Sequence, residues 1–466
     1  MMKRILVLAM IAFCTMFPAA AQEAAQKPDI TGTWLGTLNP GAITLRVAFH
    51  ITANDKGYGA TMDSLDQGAK GLPVAGVMRD GTQLTMTMPM MGAKFEGTIA
   101  EDGNSIRGTF TQGGASLPLT LQRVKDTAAL ETPHPQEPKP PFPYKSEDVT
   151  YENKTAGITL AGTLTIPQGK GPFPAALLIT GSGPQNRNEE IMGHKPFLVL
   201  ADYLTRRGIA VLRVDDRGVG KSGGTFATAT TADFATDAEA SVAYLKTRPE
   251  VDAHKIGLIG HSEGGIIAPM VASRDPEIAF IVMMAGTGVP GDAVLVEQVR
   301  RLSESVGQSK EEADKAAANE RTILDLVKEG KDTATIEKEI SVLSNGKIPE
   351  SRIAAQMKAM NSPWFRYFLT YDPATALKKV KCPVLALDGS KDTQVSPEQN
   401  LPAIRKALEE GGNKNVETDE LPGLNHLFQT AKTGSPREYA QIEETIAPVA
   451  LQKIASWIQK EEEPKK

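Results

Sequence analysis

The stretch Lys255-Ile256-Gly257-Leu258-Ile259-Gly260-His261-Ser262-Glu263-Gly264-Gly265-Ile266-Ile267-Ala268 decides how the chain folds. It reads as a short apolar strand, a sharp Gly-x-Ser-x-Gly turn and a helix that begins on small residues. A serine hydroxyl is a weak nucleophile, and a strand-to-helix turn strengthens it in two ways. The turn lifts Oγ clear of the backbone, and the helix N-terminus favours the negative charge that develops during attack. Gly260 and Gly264 leave room for the turn and for close helix-to-strand packing. Five such residues recur by chance in many chains. Placed between an apolar run and a helix start, they mark Ser262 as a nucleophile.

An activated serine needs a base, and the base needs an acid to orient it. Of six histidines, His426 alone follows Ser262, in Leu421-Pro422-Gly423-Leu424-Asn425-His426, and the segment 416–421 before it has the makings of a last strand. His261 abuts the nucleophile, with its side chain expected to face away from Oγ. For the acid, Asp388 ends the apolar run 384–387 and Asp392 lies in the loop beyond it. Either satisfies the order serine, acid, histidine. Asp388 suits capping of the turn to Gly389, which leaves Asp392 as the favoured acid. The developing oxyanion needs two backbone donors. One is the amide of Glu263; the other is Ser182 or Gly183, in Thr180-Gly181-Ser182-Gly183-Pro184 after an earlier apolar run. Asp215-Asp216-Arg217-Gly218-Val219-Gly220-Lys221-Ser222 lacks the spacing of a phosphate loop, so Asp216 and Arg217 are expected to form a scaffold ion pair. No histidine or cysteine cluster has zinc spacing.

At 466 residues the chain exceeds one ordinary core. It opens on Lys3-Arg4, an apolar run from Ile5 to Phe17, and small residues to Ala21, the pattern of a secretory signal over 1–21 and too short to span a membrane. A lipoprotein reading through Cys14 is the poorer fit, because Phe13 precedes it. The expected address is the periplasm or outside. Loss of Lys3 and Arg4, with no acid in 1–21, takes the formal charge from −5 to −7. That mild acidity gives no argument for nucleic acid or an anionic membrane as partner, and no later run is long enough for stable membrane insertion. Cys382 is then the sole cysteine, so no internal disulfide forms. Oligomeric state is open.

Residues 29–125 alternate with the two-residue period of half-buried strands, as in Ile43–Phe49 and Gln83–Met88. Turn signals such as Asn54-Asp55-Lys56-Gly57 and Arg79-Asp80-Gly81 separate them, which predicts a small antiparallel barrel or sandwich. Gly32-Thr33-Trp34 resembles the opening of lipocalin-like barrels, and His50 reads as structural. Residues 126–147 carry six prolines and predict an extended spacer, with His134 solvated in it. From 148 onward, apolar runs at 175–179, 209–214, 256–259, 279–284 and 384–387 alternate with amphipathic segments, which predicts a mostly parallel sheet covered on both faces. Functional residues then belong in loops at the carboxyl ends of strands. Residues 291–372 break this alternation with charged amphipathic helices and read as a cap. Trp364 and Phe365, in its aromatic tail, are the candidates for lining a substrate pocket.

Gly-Ser-Gly-Pro at 181–184, Asp-Asp-Arg-Gly-x-Gly-x-Ser at 215–222, Gly-His-Ser-x-Gly-Gly at 260–265, Gly-x-x-Asp at 389–392 and Asn425-His426 are taken together here. As a set they resemble secreted bacterial carboxylesterases of the acyl-esterase type, within the α/β-hydrolase superfamily. The resemblance covers about residues 146–460, and the β-rich segment before it is similar to an architecture seen in that group. It implies hydrolysis of small-molecule esters with short acyl or aryl groups, through an acyl-enzyme on Ser262 and without metal or organic cofactor. Thr180 stands where many of those enzymes carry histidine. A serine peptidase of the prolyl-oligopeptidase type and an acyltransferase share the same triad, and a binding protein on an inactive hydrolase scaffold is the non-enzyme alternative.

Overall fold

In the computed structural model, residues 28–462 are described apart from 40–44, 56, 68, 127–129 and 131; the expected signal segment lies outside them. The chain divides into two compact units. The first comprises residues up to Met62 together with Gly71–Lys125, and the second Asp63–Lys70 with Asp126–Lys466.

Nine strands form one sheet: β1 (Gly32–Leu38), β2 (Leu45–Asn54), β3 (Gly57–Ser64), β4 (Ala69–Val74), β5 (Gly76–Asp80), β6 (Gln83–Met88), β7 (Ala93–Ile99), β8 (Ser105–Gln112) and β9 (Ala115–Val124). Their order, β4-β3-β2-β1-β9-β8-β7-β6-β5, is a barrel-like, nearly closed antiparallel array in which β1 pairs β9. The period-2 pattern drives it: along β7, Ala93, Phe95, Gly97 and Ile99 are buried while the charged and hydroxyl residues between them are exposed. Trp34 fills the first unit's core, its indole N–H donating to Ile30 O at 2.9 Å and Arg123 lying 4.4 Å over its ring.

The second unit holds an eight-stranded sheet: β10 (Lys145–Asn153), β11 (Ile158–Ile166), β12 (Phe173–Ile179), β13 (Ala210–Val214), β14 (Val251–His261), β15 (Ile281–Met284), β16 (Val384–Gly389) and β17 (Val416–Leu421). The order is β10-β11-β13-β12-β14-β15-β16-β17, antiparallel at β10–β11–β13 and parallel from there on. Helices α1 (Pro196–Thr205), α2 (Thr231–Lys246) and α3 (Gly264–Ala272) fall between its strands. Five helices, α4 (Gly291–Ser305), α5 (Lys310–Lys328), α6 (Thr333–Leu343), α7 (Glu350–Met360) and α8 (Pro363–Thr370), form the 291–372 insertion, and α9 (Ala374–Leu377), α10 (Pro397–Glu410) and α11 (Pro448–Glu462) complete the unit. One face of the sheet buries α2, α3 and α10; the other buries α1 and α11. This is the α/β-hydrolase architecture, with β14 at the middle of the sheet and its carboxyl end opening into the Ser262 turn. The insertion has an apolar cluster of its own, built on residues such as Leu324, Ile336 and Met357.

The proline-rich stretch is part of the second unit and is not a free spacer. Thr132 donates to Ala440 O, Gln136 to Ile446 O and Tyr144 to Asp202. His134, expected in solvent, is half-buried and packs on His194 with ring centroids 4.2 Å apart.

Phe280, just before β15, is fully buried and packs edge-on against Trp457 of α11, at 6.2 Å between centroids. Phe280→Ala is expected to cost about 3–5 kcal/mol. In urea unfolding it should lower the midpoint and leave the slope unchanged.

Candidate active site

At the end of β14 the chain turns into α3 through Ser262, whose φ is +53°. A side-chain-bearing residue in this left-handed region costs about 1–3 kcal/mol, which the surrounding packing must offset. The Ser262 amide donates to Met284 O at 2.8 Å, tying the turn to β15. A Cβ on Gly260 would lie 2.0 Å from Gly264 O, and one on Gly264 would lie 2.1 Å from Ile179 O. The turn therefore exists only because both positions lack a side chain. The loop after β12 crosses directly beside the nucleophile, so that a Cβ on Gly181 would come within 3.2 Å of Ser262 Cβ.

His426, in the loop after β17, accepts no freedom from its neighbours. The Asn425 side-chain carbonyl takes the amides of Leu427 and Gln429, folding the loop tightly around it. His426 Nδ1 lies 2.6 Å from Asp392 Oδ2, while Asp392 Oδ1 accepts the amides of Gln394 and Val395 at 2.7 and 2.8 Å. Both side chains are buried. Burial opposes charge on Asp392, but the His426 imidazole and the donors around the carboxyl outweigh it and hold Asp392 below the usual carboxylate range. Asp388 makes no bond to His426; its Oδ1 caps the amide of Gly389.

His261 faces neither solvent nor a substrate. Its Nδ1 lies 2.9 Å from Glu189 Oε1 and its Nε2 lies 2.9 Å from His426 O. Both partners present acceptor oxygens, an arrangement that lets both ring nitrogens donate and favours the protonated imidazole. Burial works against that charge, but the Glu189 carboxylate and the two hydrogen bonds prevail and raise its pKa. Glu189, at φ +50° and buried, also takes the Gly181 amide at 2.8 Å. One buried ion pair thus ties together the strand before Ser262, the His426 backbone and the glycine loop. Nothing in the sequence around Glu189 signals this role, since the loop that carries it has no recognisable motif.

Because Gly181 N–H is spent on Glu189, it is not free for a ligand. Among the described residues the amides of Ser182, Gly183 and Glu263 have no protein acceptor. Gly183 adopts φ +94°. The Glu263 side chain is buried, and its Oε1 accepts from the Thr231 hydroxyl at 2.6 Å and from the Trp364 indole at 2.8 Å. Burial raises the pKa of Glu263 against these two donors.

Trp364 therefore reaches from the helical insertion to the residue after Ser262, stacked on Phe368 at 5.3 Å. Phe365 packs instead into the insertion's own apolar cluster. Neither lines the cavity beside the turn, whose walls include Val214, Phe226, Phe234 and Ile267, with Asp216 and Glu263 among its lining. The expected Asp216–Arg217 pair does not form. Arg217 bonds Asp237 at 2.6 Å, while Asp216 accepts from the Thr180 hydroxyl and the Gln185 amide. Burial first, then the nearby Glu263 and Glu189, pushes Asp216 up to about 7. Among the described residues no group of three or more His, Cys, Asp or Glu side chains is arranged to hold a metal.

The family described as X-Pro dipeptidyl-peptidase (S15 family) matches residues 156–416, more than half of the chain. The chain belongs to that family and is a serine hydrolase of α/β-hydrolase fold. Esterase EstD of Thermotoga maritima is 28% identical over 353 residues, 75% of this chain and 78% of that protein. Among solved structures, the Pyrococcus furiosus esterase Pf2001 is similar at 18% identity, with 68% of this chain and 93% of that chain covered and a TM-score of 0.41. Est1E from Butyrivibrio proteoclasticus, with ferulic acid bound, shares 18% identity over 67% of this chain and 98% of that one, with a TM-score of 0.40.

Glu189→Gln leaves the His261 imidazolium buried without its counter-charge and is expected to cost about 3–5 kcal/mol. Because folding raises the His261 pKa, its contribution is full below the ordinary histidine value of about 6.5 and fades as pH rises through the raised one. Melting temperature measured across neutral pH should carry that downward slope in the wild type and lack it in Glu189→Gln.

Proposed function

We propose that this S15-family serine hydrolase is a carboxylesterase acting on small-molecule esters with short acyl or aryl groups. The observation that carries the reading is the 2.6 Å bond between His426 and Asp392 in a loop whose backbone is tied to the residue before Ser262. In this reading Ser262 Oγ attacks the ester carbonyl while His426 takes its proton. Asp392 fixes the imidazole tautomer and stabilises the imidazolium as it forms. The carbonyl oxygen becomes an oxyanion that accepts from the Glu263 amide and from Ser182 or Gly183. His426 returns the proton to the departing alcohol, leaving an acyl group on Ser262. It then activates water, which releases the acid and restores the serine.

The ester substrate class rests on the likeness to the Thermotoga esterase, and the phenylalanine-walled cavity beside the turn offers an apolar lining to a short acyl or aryl group. The aromatic tail of the insertion bears on the site through Trp364 and Glu263. We read the 1–21 pattern as an export signal, which puts this activity in the periplasm or outside. Cleavage of peptides after an X-Pro pair is the second reading, favoured by the family's description.

A panel of 4-nitrophenyl esters of increasing acyl length beside an X-Pro dipeptidyl p-nitroanilide separates the two. The esterase reading predicts turnover of acetate and butyrate esters, little of the anilide, and a loss of about 10⁴-fold or more in kcat on Ser262→Ala. Turnover confined to the anilide, or esterase activity that survives the substitution, would contradict it.

A further inference from the structure

The two acids at the end of β16 are treated very differently by the protein around them. Asp392 is buried and well supplied, with two amides on Oδ1 and the His426 ring on Oδ2. Asp388, four residues earlier, is 0 % exposed. Among the described residues its Oδ1 accepts only the amide of Gly389, at 2.8 Å, and its Oδ2 is buried with no hydrogen-bond partner. Among the described residues no lysine or arginine side chain bonds either carboxyl. Arg301, from α4, donates to the Asp392 backbone carbonyl at 3.1 Å and is engaged by Glu297 and Glu398. The Lys391 ammonium is turned onto the carbonyls of Ala431 and Lys432. His426, His261, Tyr439 and the Arg301 guanidinium are the other titratable or charged groups that sense the pair.

Two carboxylates in one dry site, with no lysine or arginine bonded to either among the described residues, do not both ionise. The charge stays where donors are plentiful, on Asp392. The proton goes where they are scarce, on Asp388. Since Asp388 Oδ1 is already an acceptor, the proton belongs on Oδ2, and an acid O–H buried there needs an acceptor of its own. The Asp392 amide donates to Gly389 O at 2.9 Å, so the loop folds back on the end of β16 that carries Asp388.

We propose that Asp388 is a positioning residue of the site: a neutral carboxylic acid whose Oδ2–H donates to the Asp392 carboxylate. The pair then carries one proton and one negative charge, and that charge rests on the acid that holds His426. Burial, and after it the charge of Asp392, holds Asp388 well above the usual carboxylate range, in keeping with this assignment. The role rests on Asp392 serving as the orienting acid for His426.

Asp388→Asn keeps a neutral donor in the same shape, whereas Asp388→Leu keeps neutrality and removes the donor. The first readout is the infrared difference spectrum of wild type minus Asp388→Asn at neutral pH. The proposal predicts a C=O band of a protonated carboxylic acid; its absence, with a carboxylate band in its place, would overturn the proposal. The second readout is kcat/KM for 4-nitrophenyl acetate against pH. Asp388→Asn should keep activity within about threefold with the acid limb in place, and Asp388→Leu should lose about tenfold or more, the worth of a hydrogen bond to a charged group. An acid limb that moves by about one unit in Asp388→Asn would mean that a negative charge had been removed, contrary to the proposal. If Asp388→Leu does not fold, the asparagine comparison decides. The infrared readout does not depend on turnover, so an inactive wild type counts against the esterase reading and leaves the shared proton to be judged by its band.

Discussion

A serine held at φ +53° between a strand and a helix is strained, and the protein around it is arranged to make that conformation the lowest available. Two glycines let α3 approach β14 and β12 at distances no side chain would tolerate. The amide of Ser262 is fixed to β15. Once the turn is locked, the direction of Oγ is no longer a property of a flexible side chain alone. It is set by the middle of an eight-stranded sheet with apolar layers on both faces.

Loops do the remaining work, and loops need tethers. The His261–Glu189 ion pair is the main one, because each partner also holds backbone from another segment: His426 O on one side and Gly181 N on the other. A buried ion pair contributes little net stability compared with apolar packing, but removing one partner is costly. Its value here is geometric, since three segments from distant parts of the sequence are fixed relative to Ser262. Trp364 adds a fourth, linking the helical insertion to Glu263.

Much of this architecture was legible in the sequence because it is written in periodicity. The apolar runs at 175–179, 256–259 and 384–387 fall within β12, β14 and β16, and the charged amphipathic stretches of 291–372 become α4 to α8. Asp392 and His426, chosen by chain order and chemistry, are in contact. What was not legible depends on partners far apart in the chain. Glu189 carries no motif, and its place is set only by the loop that folds over Gly181 and His261. Arg217 was expected beside Asp216 and instead reaches Asp237 on α2, a choice made by helix packing and not by sequence proximity. The prolines of 126–147 predict an extended spacer, but the stretch is bonded into the second unit through Thr132, Gln136 and Tyr144. Phe365 shows the limit of reading aromatics as pocket residues, because its ring serves the insertion's own core.

The central claim is that the Ser262 turn, the glycine loop and the His426 loop together stabilise an oxyanion. A crystal structure of the protein inactivated by an alkyl phosphonate tests it most directly, because the phosphoryl oxygen stands where that oxyanion would be. The account predicts phosphorus bonded to Ser262 Oγ, with the phosphoryl oxygen about 2.7–3.1 Å from the Glu263 amide and from the amide of Ser182 or Gly183. A phosphonate on another residue, or one whose oxygen points away from both amides, would contradict it.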